Sequence, residues 1–310
     1  MKLRYFYMIL LSVALLAACS NNEPISMNIA TYNIRYENRG DSIAGNGWGQ
    51  RCPVIAGMVQ FHDFDIFGTQ EGLHKQLEDL KRSLPGYDYF GIGRDDGLQG
   101  GEFSAVFYKT GKFKILRNGD FWMSTVTDAP NKGWDAALPR ICTWGEFEEI
   151  KSGLRFLLLN LHMDHIGVEA RRESAKLVLE KVREMSGNNP VILMGDFNVD
   201  QNNESYTLLN TSGLLQDAYD KSPVRYANNG TFNSFRTDRK TDSRIDHIFL
   251  TSHFTVSRYG ILTDLYWIPA PENEQEAGSE NAGRQTSFRR FSPRMPSDHF
   301  PVMVQVHVKK

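Results

Sequence analysis

The chain is 310 residues long, 41% apolar and 12% aromatic, enough for a large core and too apolar for a disordered chain. Its formal net charge is −2, which argues against a protein that grips nucleic acid chiefly through phosphates, although a local basic groove stays open. No Pro/Ser-rich linker, low-complexity stretch or internal repeat divides it, so one folded domain is expected.

The first predicted element is an address. Met1-Lys2-Leu3-Arg4 is positive, and Met8 to Ala18 is uncharged and apolar but too short to span a bilayer, which takes about 20 apolar residues. The run ends in Leu16-Ala17-Ala18-Cys19, which resembles a bacterial lipobox, with cleavage before Cys19 and a lipid on its thiol. Residues 1–18 are expected to be a signal peptide, 19–26 a tether and 27–310 the domain. Ser20 stands where an inner-membrane retention signal would place aspartate, so the expected location is the outer membrane, with the chain a monomer. Cys52 and Cys142 are two isolated cysteines rather than a disulfide framework; they could pair, or Cys142 is a buried thiol.

Short β-branched or aromatic runs then predict strands over 27–34, 66–69, 104–108, 141–148, 154–161, 191–195, 245–250 and 302–308. Apolar residues at helical spacing predict helices over 52–61, 74–84 and 168–185, the last closed by Gly187 and Pro190. Strands and helices alternate early, while 141–148 and 154–161 read as a hairpin through Lys151-Ser152-Gly153. That mixture predicts sheets packed on each other with helices outside.

Six polar clusters stand where apolar runs stop: Thr31-Tyr32-Asn33, Thr69-Gln70-Glu71, Asn160-Leu161-His162, Gly195-Asp196-Phe197-Asn198, Arg244-Ile245-Asp246-His247 and Ser297-Asp298-His299. Any one of them reads as a turn. Together they suit strand ends, where a rigid sheet holds side chains outward and loops leave room for substrate. The residue types suit phosphoester hydrolysis, which must neutralise a charged group, activate water and protonate a leaving oxygen. A hard cation such as Mg²⁺, or Mn²⁺ in its place, prefers oxygen ligands; Glu71 is the natural one, with Asn33 and Asp298 beside it. No cluster contains cysteine and no paired helical histidines appear, which argues against structural zinc.

At these residues the chain resembles the endonuclease/exonuclease/phosphatase superfamily, from Asn33 to His299. The resemblance implies an α/β four-layer sandwich, α/β/β/α, with two central, mostly antiparallel sheets and the site at one end of them. It also implies roles. Asn33 would contact phosphate or metal, Glu71 would bind magnesium, and Asp298 would be the second acidic metal contact. His162 would contact the scissile phosphate; Asp196 would align or deprotonate the attacking water, with Asn198 its partner at the phosphate. His299 would be the catalytic histidine, oriented by Asp246. Glu102 either stands behind His162 or is a solvated hairpin residue; Arg140 either points at the phosphate or lies on the surface. Asp164 and His165 are further candidates with an equal structural reading.

The substrate is less legible, because fold membership does not fix it. The expected activity is a phosphodiesterase on a phospholipid, sphingomyelinase-like, or on another small exported phosphoester. A secreted nuclease and a non-catalytic binding module are the alternatives. The lipid reading draws on the anchor and on aromatic runs, Phe121-Trp122-Met123 and Leu265-Tyr266-Trp267-Ile268-Pro269, that either dip into an interface or pack in the core.

Overall fold

The structure, a computed structural model, describes residues 25–226, 229–270 and 290–308. The signal peptide, Cys19 and most of the tether lie outside the described residues.

Two sheets form the centre. The first holds seven strands, β1 (Ile25–Asn33), β2 (Ile66–Gln70), β4 (Tyr87–Phe90), β6 (Val106–Lys109), β12 (Arg225–Tyr226), β14 (Phe254–Ile261) and β17 (Val302–Val308), in the order β12-β14-β17-β1-β2-β6-β4. The second holds six, β7 (Phe113–Trp122), β8 (Ile141–Glu149), β9 (Arg155–His162), β10 (Val191–Asp196), β11 (Gln216–Asp217) and β13 (Asp246–Leu250), in the order β11-β13-β10-β9-β8-β7. Two small ribbons pair β3 (Gly72–Leu73) with β5 (Glu102–Phe103), and β15 (Tyr266–Pro269) with β16 (Phe291–Arg294). Within the large sheets β1/β2, β9/β10 and β12/β14 are parallel and the other pairs antiparallel.

Alternation along the strands explains the layers. In β1, Met27 and Ile29 face the second sheet and pack with Phe156, Leu158, Ile192, Met194 and Ile248. Ala30 and Tyr32 face outward with Phe67 and Phe107, against helix α2 (Trp48–Phe61) and helix α3 (His74–Ser83), which follow a short α1 (Arg39–Ile43). On the far side Leu157, Leu159, Leu193 and Phe249 are covered by α4 (Val168–Ser186) and α5 (Glu204–Asn210); a short α6 (Ala218–Lys221) closes the set. Both faces of each sheet are buried, which is why the central strands read as nearly continuous apolar runs. The four layers are those expected.

Two details differ from the expectation, and two open alternatives are decided. Helix α2 starts at Trp48 and carries Pro53 inside it, although Pro-containing helices usually begin at the proline. Strands β7 and β14 were not legible: each has a register shift, at Ile115/Arg117 and Val256/Arg258, that breaks the two-residue alternation. Phe121, Trp122 and Met123 are buried, and the indole N–H of Trp122 donates to the Arg94 carbonyl, so this run packs in the core and dips into nothing. Trp267, in β15, is exposed. Cys52 and Cys142 are both free and buried, so they do not pair.

Candidate active site

The strand ends converge because of register. Asn33 and Gln70 are partners at the C-terminal ends of parallel β1 and β2, so Glu71 leaves the sheet beside Asn33. Asp196 is level with His162 on one side and with Asp246 on the other. Asp298 and His299 precede β17, the neighbour of β1. The two sheets are tied beneath the site by buried amides: Gln70 Nε2 donates to Asn160 Oδ1 at 2.6 Å, and Asn160 Nδ2 reaches the Thr69 and Ala105 carbonyls. Only glycine fits at position 68, since a Cβ there would overlap the Asn160 side chain.

Asp196 is the hub. Its Oδ2 accepts from Asn33 Nδ2 at 3.0 Å and lies 3.6 Å from His162 Nε2 and 3.8 Å from His299 Nε2. His299 Nδ1 is 2.9 Å from Asp246 Oδ2. Burial disfavours a charged His299, yet Asp246 and Asp196 outweigh it and push its pKa up to about 10. Burial, then Asp246, raises Asp196 to about 7. His162 moves the other way, well below its usual value, through burial and the nearby guanidiniums of Arg140 and Arg94. Asn198 donates its backbone N–H to Asp196 Oδ1 and its amide to the Met163 carbonyl. Arg35, Glu71 and Asn198 all have left-handed backbones, with φ of 55°, 64° and 51°. Such strain persists where the surroundings over-determine it, as at functional sites.

Glu71 and Asp298 supply oxygens suited to a hard divalent metal. Arg35 Nη1 lies between them, 3.9 Å from Glu71 Oε2 and 3.5 Å from Asp298 Oδ2. The Asn33 amide presents nitrogen, not oxygen, to the acids: Nδ2 bonds both Glu71 and Asp196, and Oδ1 accepts from the Arg35 N–H. In this arrangement the Asn33 amide is a donor that spaces two carboxylates. Among the described residues Asp196, Asp246 and His299 also bring ligand atoms within 4.8 Å of one another. There Asp246 and His299 are engaged with each other, which leaves Glu71 and Asp298 as the more open pair.

Glu102 and Arg140 are not surface groups. Glu102 Oε2 stands 3.8 Å from His162 Nδ1, and both its oxygens accept from Arg94, at 2.6 and 2.9 Å. Arg140 is 4% exposed; its Nε donates to Asp164 Oδ2, its Nη2 faces His165 Nδ1 at 2.8 Å, and its Nη1 has no partner. Asp164 is structural: it also accepts from the N–H groups of Leu138, Ile166 and Gly167. His165 lines the cleft. Three arginines carry no signal in the sequence: Arg35, Arg94 and Arg51. Arg51 is fully buried and donates to the carbonyls of Ile34, Arg35, Asn46 and Pro296, tying the end of β1 to the loop before Asp298. Its position in a helix gives no hint of that role, which only the tertiary fold creates.

A model of the endonuclease/exonuclease/phosphatase family matches residues 30–299. The chain belongs to that family. The mannosyl-6-phosphatase of Bacteroides thetaiotaomicron VPI-5482 is 54% identical, superposes with a TM-score of 0.83 and is matched over 90% of this chain and 99% of its own. A family member from Bacteroides vulgatus is 33% identical, with a TM-score of 0.78, over 92% of this chain and 99% of its own. An uncharacterized protein of Acanthamoeba polyphaga mimivirus is 30% identical over 49% of this chain and 60% of its own length. The exoribonuclease subunit Ccr4 of Debaryomyces hansenii is 23% identical over 66% of this chain, which spans 28% of it.

Proposed function

We propose that this family member is a divalent-metal-dependent phosphomonoesterase that removes phosphate from a sugar 6-phosphate. The observation that carries the reading is the gathering of Arg35, Arg94 and Arg140 in one cleft of about 530 Å³ with His162, Asp196 and His299. A phosphate monoester carries about −1.5 to −2 charge at pH 7, more than the single charge of a diester, and rewards that concentration of guanidinium. The 54%-identical mannosyl-6-phosphatase supports the same substrate class. The phospholipid reading loses one support, since Phe121–Met123 are core residues.

In this reading Glu71 and Asp298 hold Mg²⁺ or Mn²⁺, which when bound neutralises charge on a phosphoryl oxygen. Asp196, with a pKa near neutrality, takes the proton of the attacking water, and Asn198 holds that water or the phosphate. His299, kept cationic by Asp246, donates to an oxygen that gains charge. His162 and Arg140 contact the other phosphoryl oxygens, and Glu102 acts through Arg94 and His162. We also propose that Cys19 carries the lipid and holds the enzyme, as a monomer, at the outer membrane. Among the described residues no helix is long and apolar enough to cross a membrane. Mannose 6-phosphate, inositol phosphates, sphingomyelin, RNA and DNA, each with Mg²⁺ and with chelator, form the test. Phosphate release from mannose 6-phosphate, abolished by chelation, is expected; turnover of only a diester, or full turnover in chelator, contradicts it.

A further inference from the structure

The cleft does not end at His299. Phe232 and Ile245 form a shared wall with a second cavity of about 430 Å³, lined further by Asn233, Ser234, Thr241 and Ser243 and by the exposed cations Arg236, Arg239 and Lys240, of which Arg236 pairs with Asp238 and Lys240 with Asp242. Phe232 is 41% exposed although its ring sits 5.1 Å from the His299 imidazole, edge to face. An exposed aromatic ring beside a buried reacting group gains nothing for the core.

The segment that carries it is fixed to the catalytic segment. Phe232 and His299 are bridge partners, the Asn233 and Ser234 N–H groups donate to the Asp298 carbonyl, and the Phe300 N–H donates to the Thr231 carbonyl. Ser234 and Phe235 are held in successive left-handed conformations, with φ of 54° and 56°. Asn233 is 6% exposed; its Oδ1 accepts from the Phe235 N–H, and its Nδ2 has no partner. A buried amide donor left unpaired is costly and points to a group that arrives with the ligand.

An aromatic face, an unpaired amide donor, several hydroxyls and the N–H donors of three exposed cations suit a ring with an apolar face and hydroxylated edges. That is a pyranose. An acyl chain would waste the donors. We propose that the second cavity is the leaving-group subsite and seats the sugar ring whose phosphate lies in the cleft, with Phe232 as its platform and Asn233 Nδ2 as a donor to a ring hydroxyl. The inference rests on the monoesterase reading and adds the residues that select the sugar.

The test compares kcat/KM on mannose 6-phosphate with kcat/KM on glycerol 3-phosphate, which has no ring. Phe232→Leu keeps apolar volume and removes the aromatic face. It should lower the mannose 6-phosphate to glycerol 3-phosphate ratio about tenfold, chiefly through KM, and Phe232→Trp should restore it. Equal losses on both substrates, or none, overturn the subsite. So does a preference for a nucleotide monoester that Phe232→Leu abolishes. If the wild type hydrolyses no monoester, the function reading fails separately. Binding of methyl α-mannoside, followed by saturation-transfer NMR in wild type and Phe232→Leu, then decides the subsite: binding lost in the variant supports it, and no binding to the wild type overturns it.

Discussion

The Asp246–His299 pair shows how one residue is tuned by another. Burial alone would keep the imidazole neutral, but a carboxylate at 2.9 Å reverses the sign. The folded pKa, about 10, lies above the unfolded value of about 6.5, so the pair's stabilisation is complete below about pH 6.5 and is lost as pH rises through about 10. In metal-free protein, Asp246→Asn should move the His299 titration downward by NMR, and an unmoved titration would refute the pairing. Asp246→Asn should also lower turnover less than His299→Ala, which removes a group contributing about 10²–10⁴-fold. At this scale the sequence was informative where a polar residue followed an apolar run, as at Asn33, Glu71 and Asp196, whereas Asp298 and His299 stand ahead of their strand, β17. It was silent on Arg35, Arg51 and Arg94. Their partners are distant in the chain (Arg51 and Pro296 above all), and an arginine in a helix or turn otherwise reads as solvated.

Among the elements, the central strands were legible because burial on both faces makes them continuously apolar. Strands β7 and β14 were not, since a bulge in each shifts the side chains from one face to the other. The joint between elements matters more to the site than any element alone. Among the described residues Arg51, on α2, is the one side chain that bonds both the carbonyls after β1 and the Pro296 carbonyl ahead of Asp298. Arg51→Met should cost about 3 kcal/mol or more in denaturant unfolding, since charge-assisted bonds to several buried carbonyls are lost together. It should also weaken metal binding, measured by calorimetry, because Asp298 and the residues after β1 are no longer held in register. A variant within about 0.5 kcal/mol of wild type would show that the loops are fixed by other contacts.

For the whole molecule, two sheets present their functional ends on one side, and the cleft and its neighbouring cavity open there. The lipid proposed on Cys19 is separable from this architecture. Cys19→Ser should release the protein from membranes without changing turnover of a soluble substrate; unchanged membrane partitioning would reject the anchor. Net charge and aromatic content left the substrate open, because the residues that line the cleft and its neighbouring cavity, Arg94, Arg140, Phe232 and Asn233 among them, are brought together only by folding. The central claim is that the cleft is built for a dianionic monoester. Its most direct measurement sets mannose 6-phosphate against the methyl diester of the same phosphate, in Mg²⁺ and at one pH, by ³¹P NMR. The monoester should be hydrolysed about tenfold faster or more, since only it carries the second charge that the arginines meet. Equal or faster hydrolysis of the diester would contradict the account.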